Sequence, residues 1–413
     1  MRWQVAVLVS LAIAISYLDR QTLPVAVQSI SRDIPLSNSQ FSALQSAFLF
    51  SYALMYAGGG KLVDVLGTRR GFTVIMLFWS VACASHAVAV SFMLLAASRL
   101  LLGMGEGGAF PAATRVVAEF FSTQQRATAM GIINAGTAMG AMVAPPLIAM
   151  ILSYTSWRWI FVVTGGFGIV WTLAWTFSRL TPDAIQSNPS AGLRALEDTW
   201  SFAWTRLFSV RETWGLVTAK FLSDAAWFFY LFWLPKYLYE ARGFDVKAVG
   251  TFAWMPSAAA GVGCLLGGGF SSYLVRRNFS LGTARKTALG LSAALMPFVI
   301  LIPHVPVSFA IALFCLAYFG QQSWSTLVMV LPADLFPQSV VGSVAGLVGF
   351  GGAWGGIAFG ELVGYLLDHG LGYSTVFAFA GTLHVAAFGI IVACIPAVEP
   401  LSLKQRFGCE VAQ

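Results

Sequence analysis

Runs of about 20 apolar residues recur from one end of this chain to the other, and no other feature limits its fold as tightly. A run of that length crosses hydrocarbon as a helix, because a helix satisfies every backbone N–H and C=O within the segment. The alternating pattern over ~10-residue segments that marks a membrane barrel is absent. Only 10% of the 413 residues are charged, against about 25% in an average soluble protein. The sequence therefore reads as an all-α integral membrane protein whose first partner is the lipid bilayer. The first run carries Asp19 and Arg20 and is followed by further spans, so it reads as a mature helix rather than a cleaved leader.

Composition then removes whole classes of function. A net charge of +7 reflects Lys and Arg gathered at one membrane face, not a nucleic-acid surface. The five cysteines (Cys83, Cys264, Cys315, Cys394 and Cys409) are scattered, and the four histidines have no metal-ligand spacing. No metal or organic cofactor is expected. With no nucleophile–base pair or phosphate loop either, the chain does not read as an enzyme.

Counting the runs gives about twelve helices, so both termini lie on one side. About two thirds of the Lys and Arg fall on loops of that terminal side, which makes it cytoplasmic by the positive-inside rule. The longest polar connection divides the chain into an N-terminal bundle (1–178), a linker (179–212) and a C-terminal bundle with a short tail (213–413). Within the linker, "TWSFAWTRLF" places Trp200, Trp204, Leu207 and Phe208 on one helical face, as expected of an interfacial helix.

The two bundles repeat. A shift of 215 lays "AEFFSTQQRATAMGIINAGTAMG" (from Ala118) on "ADLFPQSVVGSVAGLVGFGGAWG" (from Ala333). Glu119 meets Asp334, and Gly131, Gly136 and Gly140 meet Gly346, Gly351 and Gly355. Both copies lead into a helix running the same way, so the repeat is parallel: two pseudo-symmetric six-helix bundles that alternate access to a central site. Gly136, Gly140, Gly351 and Gly355 let helix backbones approach closely and slide; plain packing would use them in the same way.

Six ionisable side chains lie deep in spans: Asp19, Arg20, Arg99, Glu106, Lys220 and Asp224. Each costs ~2.5–3.5 kcal/mol to insert, so such residues face cavities and mark pathways. Lys220 and Asp224, at i,i+4, can pair on one helix face. Asp19 and Arg20 cannot, because helical neighbours point about 100° apart; each must find a different partner. Arg99 and Glu106 share a face, about 10 Å apart along the axis. The 215-residue shift lays Glu106 on Gln321, an ionisable carboxyl against a neutral amide of similar shape. That asymmetry assigns proton coupling to the first half, with Glu106 and Asp19 as carriers. Arg20, Arg99 and Lys220 are expected around a space also lined by Tyr17, Tyr52, Asn134, Thr137, Gln321, Gln322 and Trp324. Cations with hydroxyls, amides and aromatic faces suit a small hydroxylated organic acid.

The loop after the second span, "GGGKLVDVLGTRRG" (Gly58 to Gly71), resembles the cytoplasmic signature of the major facilitator superfamily. Gly60, Asp64, Gly67, Arg69 and Arg70 match it, and Val65 stands where a basic residue is usual. Asp64, with Arg69 and Arg70, is then the expected latch between states. The motifs "YLDR", "RLLLGMGEGGAFP", "GIINAGTAMGAMVAPPL", "KFLSDAAWFFYLFWLPKYL" and "LPADLFP" resemble the anion:cation symporter family, most closely its hexuronate branch. The resemblance spans nearly the whole chain. It implies that Asp19 and Glu106 carry protons, that Arg20 and Arg99 handle carboxylate and gating, and that Tyr17 and Tyr52 touch substrate. Thr137 replaces the glutamine of galactonate members, which counts against that branch. The implied protein is a monomeric, proton-driven importer of a hexuronate or related sugar acid in a bacterial inner membrane. Two rivals are an exchanger of organic anions or sugar phosphates and a transporter-fold sensor.

Overall fold

The computed structural model of the protein describes residues 2–66, 68–120, 123–178, 207–336, 338–399 and 401. The expected interfacial helix falls largely outside the described residues, and so does Cys409. All regular structure among the described residues is helical. In the first half the helices are α1 (Arg2–Asp33), α2 (Asn38–Leu66), α3 (Thr68–Ser85), α4 (Phe92–Gly107), α5 (Ala109–Phe120), α6 (Thr123–Tyr154) and α7 (Trp157–Phe177). In the second they are α8 (Arg211–Arg242), α9 (Val246–Phe252), α10 (Trp254–Arg276), α11 (Leu281–Ala294), α12 (Val307–Leu335), α13 (Gln338–Asp368) and α14 (Tyr373–Cys394), with a 3-10 turn over Met296–His304. Three pairs of consecutive segments (α4 with α5, α9 with α10, and α11 with the 3-10 turn) each form one broken span, which gives twelve spans. Eight of these are long and apolar enough among the described residues to cross a membrane by composition alone.

Glycine decides where backbones meet. A Cβ at Gly136 would collide with the carbonyl of Ser10, and one at Gly140 with that of Ala14, so α6 lies directly on α1. In the second half Gly351 meets Val217 and Gly355 meets the Phe221 carbonyl, so α13 lies in the same way on α8. The glycines correspond by the shift of 215, and their partners by one of 207 (Ser10 to Val217, Ala14 to Phe221). The parallel repeat seen in the sequence is thus repeated in the packing of each bundle.

The halves meet through α2 against α13, α6 against α9 and α10, and α1 against α8. Among the described residues, the hydrogen bonds between the halves lie toward the side away from the termini. Asp368 accepts hydrogen bonds from the backbone N–H of Asn38 (2.9 Å) and Ser39 (2.8 Å), a carboxylate from one half capping a helix of the other. Ser46 donates to Glu361 at 2.5 Å, and Tyr239 donates to the Val25 carbonyl at 2.6 Å. Nearer the terminal side of α13, Gly346 and Gly349 have nothing within 4 Å. The far side is therefore closed.

Candidate functional site

Helix α1 turns its two adjacent charges to different neighbours, as the 100° step between them requires. Arg20 donates from Nε to Glu106 Oε2 of α4 at 2.8 Å, and Ser16 donates to the same oxygen at 2.6 Å. The Arg20 guanidinium lies 4.6 Å from the ring centroids of both Tyr17 and Tyr52, held between two aromatic faces. Asp19 instead faces α3, where Trp79 Nε1 donates to Oδ2 at 3.2 Å. Cys83 and Thr164 stand beside it. Asp19 and Glu106 are both fully buried, each with its own hydrogen-bond partners.

Arg99 is the least satisfied group among the described residues of this half. It is fully buried, and none of its three guanidinium nitrogens has a hydrogen-bond partner. Its charge centre lies 5.9 Å from the Phe48 ring, which is also 5.5 Å from the Arg20 guanidinium. The other oxygen of Glu106, Oε1, is also buried without a partner. A buried cation near a half-satisfied carboxyl is an arrangement that a change of state can resolve.

The second half presents a separate cluster. Lys220 Nζ donates to Asp224 Oδ1 at 2.9 Å and to Ser325 Oγ at 3.1 Å. This is the i,i+4 pair the sequence predicts. Helices α1 and α8 pack against each other, so the two clusters lie on neighbouring helices of opposite halves. Gly352 leaves room beside them: a Cβ there would strike the Asp224 carboxyl.

Among the other expected members, Gln321 lies one turn from Ser325, at the Lys220–Asp224 cluster. Trp324, expected on the cavity wall, is fully buried and packs edge-on against His384 at 5.6 Å; its face of α12 looks into the second-half core. Gln321 is also buried and contacts His384. Gln322 is half-buried and accepts at its carbonyl from Thr326. Asn134 is exposed on α6, and Thr137, half-buried, spends its hydroxyl on the Asn134 carbonyl at 2.8 Å. The Asp64 side chain lies outside the described residues. Arg69 does not bridge the halves: it donates to the carbonyls of Thr176 (2.5 Å) and Ser178 (2.6 Å), closing the end of α7. Arg70 is exposed. Arg285 and Asp334, which the 215 shift lays on Arg70 and Glu119, form an ion pair at 2.8 Å.

Sequence reasoning missed Ser16, Phe48, Trp79, His86, Ser325 and His384. For the histidines the signal was present. An ionisable residue inside a span is itself a marker of function, whereas metal-ligand spacing says nothing of a lone buried histidine. His86 is fully buried on the α3 side and stacks on Phe161 at 4.6 Å.

Comparison with known proteins gives one consistent picture. The pattern of the Major Facilitator Superfamily matches residues 9–360. The chain is 30% identical over 395 residues to the hexuronate transporter of Escherichia coli K12, covering 92% of this chain and 90% of that one. It is 31% identical over 309 residues to the galacturonate transporter of Dickeya chrysanthemi, covering 72% of this chain and 89% of that one. Its fold is similar to the inward-open structure of the xylose transporter XylE from E. coli, with a TM-score of 0.76 at 12% identity, covering 96% and 97% of the two chains.

Proposed function

This chain belongs to the Major Facilitator Superfamily, and on that premise we propose that it is a proton-coupled symporter importing a hexuronate such as glucuronate or galacturonate. Its setting is a bacterial inner membrane with both termini in the cytoplasm. The multi-pass fold and the similarity to transporters of hexuronate and galacturonate support this reading. The observation that carries it is the buried Arg20–Glu106 pair, its guanidinium held between Tyr17 and Tyr52, with the Lys220–Asp224 pair on the neighbouring helix of the other half.

The chemistry of coupling follows from that pair. Arg20 can hold either Glu106 or the carboxylate of a uronate, but the two anions compete for it. A proton on Glu106 removes one competitor and leaves Arg20 to the substrate, while Lys220 takes part of the load from the second half. With the far side closed and the proton lost, Glu106 recovers Arg20 and the substrate is released toward the terminal side. Asp19, hydrogen-bonded by Trp79, is the second carrier. Arg99 lies within electrostatic reach of both carboxyls and balances whichever is charged. Tyrosine faces and hydroxyls suit the C–H and O–H groups of the sugar ring.

Uptake of labelled glucuronate by proteoliposomes, with competitors, tests the substrate. Unlabelled galacturonate and glucuronate are expected to block it and inorganic phosphate to leave it unchanged. Block by phosphate with no effect of galacturonate would instead favour a sugar-phosphate exchanger.

A further inference from the structure

Behind the Lys220–Asp224 pair runs a buried polar chain. His384 of α14 is fully buried, and its Nε2 contacts Oε1 of Gln321 on α12. Gln321, itself buried, lies one turn from Ser325 on α12 as Asp224 lies one turn from Lys220 on α8, so the Lys220–Ser325 contact brings its amide beside the Asp224 carboxyl. Asp224 accepts from Lys220, whose Nζ also reaches Ser325. Trp324 closes the chain from the side, packed edge-on against the imidazole.

The polarity of this chain is forced. A carboxylate only accepts hydrogen bonds, so Gln321 must turn its NH2 toward Asp224 and its carbonyl oxygen toward His384. That oxygen only accepts, so Nε2 of His384 must carry the proton. The other ring nitrogen, Nδ1, is then the bare acceptor, which agrees with its lying buried without a partner. The reversed amide would put an oxygen against the carboxylate. Histidine is thus the donor that fixes one of the two orientations of Gln321, and the fixed amide holds Asp224 where it pairs with Lys220.

The repeat sharpens the point. Gln321 occupies the position that Glu106 occupies in the first half. There an ionisable carboxyl competes for a guanidinium; here a neutral amide, locked by a histidine, can only hold its neighbours still.

We propose that His384 is a specificity-determining positioning residue: through Gln321 it sets the Asp224–Lys220 pair so that the ammonium meets the substrate's carboxylate from the second half. The proposal rests on the hexuronate reading above. Substrate affinity should depend on this chain, while the rate of the conformational cycle should not.

The test is the kinetics of glucuronate uptake in proteoliposomes for the wild type, His384→Leu, His384→Gln, Gln321→Leu and the double variant H384L/Q321L, with thermal melting of each as a check of folding. His384→Leu is expected to raise KM about tenfold, the loss of about 1.4 kcal/mol, with the maximal rate within about twofold of wild type. His384→Gln puts an amide N–H near the place of Nε2 and is expected to restore KM to within about twofold. The double variant should be no worse than Gln321→Leu alone, because both changes break one chain. An unchanged KM in a folded His384→Leu, a fall in maximal rate alone, or additive losses in the double variant would overturn the positioning role. A fall in both parameters that His384→Gln does not restore would also overturn it, since that is the mark of general destabilisation. If the wild type itself takes up neither uronate, the hexuronate reading fails, and the proposal with it.

Discussion

Glu106 receives Arg20 and Ser16 on the same oxygen, at 2.8 and 2.6 Å, so the α1–α4 contact depends on the carboxyl and not on packing alone. Glu106→Gln keeps the shape and one acceptor oxygen but cannot gain or lose a proton. The variant is expected to lose uphill accumulation of uronate while retaining substrate exchange across the membrane. Counterflow measured beside net uptake checks this; a Glu106→Gln protein that still concentrates substrate sinks the coupling assignment.

Arg99 combines complete burial with three unpartnered nitrogens, an arrangement that costs stability. Arg99→Met has similar length and no polar group. It is expected to raise the stability of the detergent-solubilised protein, by about 1–3 kcal/mol from the desolvation cost of such groups, and to abolish transport. Melting curves and uptake assays on one preparation decide it. A variant that melts lower than wild type would mean that Arg99 holds the fold together.

Asp368 caps α2 from the opposite half through the N–H groups of Asn38 and Ser39. Removing a helix cap costs about 0.5–2 kcal/mol, here from the far-side-closed state alone. Asp368→Ala should therefore shift the population toward far-side opening by about 2- to 30-fold. The reporter is a cysteine at buried Ser42, with the native cysteines replaced by serine, exposed to an impermeant maleimide on the far side. Labelling at the unaltered rate would show that the cap does not restrain this gate.

Gly355 has no room for a Cβ against the Phe221 carbonyl, whereas Gly346, nine residues earlier on α13, has nothing within 4 Å. Gly355→Ala is expected to destabilise by about 1–3 kcal/mol through overpacking. Gly346→Ala is expected to be neutral or mildly stabilising, since alanine is the better helix former by about 0.5–1 kcal/mol. Thermal shifts of the two variants side by side test whether backbone contact of α13 on α8 matters at the one glycine and not at the other.

Much of this was legible in the sequence because the bilayer reduces the physical options. Apolar runs of spanning length can only be helices, and the 215-residue repeat located the glycines that the structure places on neighbouring carbonyls. Lys220 with Asp224, and the separate partners of Asp19 and Arg20, followed from helical angles. What failed was the choice of face. An apolar span has no polar side to say which way a residue looks, so Trp324 was expected on the cavity but packs on His384 inside the bundle. The histidines needed tertiary partners, Gln321 and Phe161, far away in sequence, before any role could be read.

The most direct test of the central claim is the accumulation of labelled glucuronate by wild-type proteoliposomes with an inward proton gradient, without one, and with the gradient collapsed by a protonophore. The Arg20–Glu106 competition predicts that internal glucuronate exceeds the external concentration only while the gradient stands. Equilibration to the same level in all three conditions would contradict proton coupling and leave the intramembrane carboxyls without the role assigned to them.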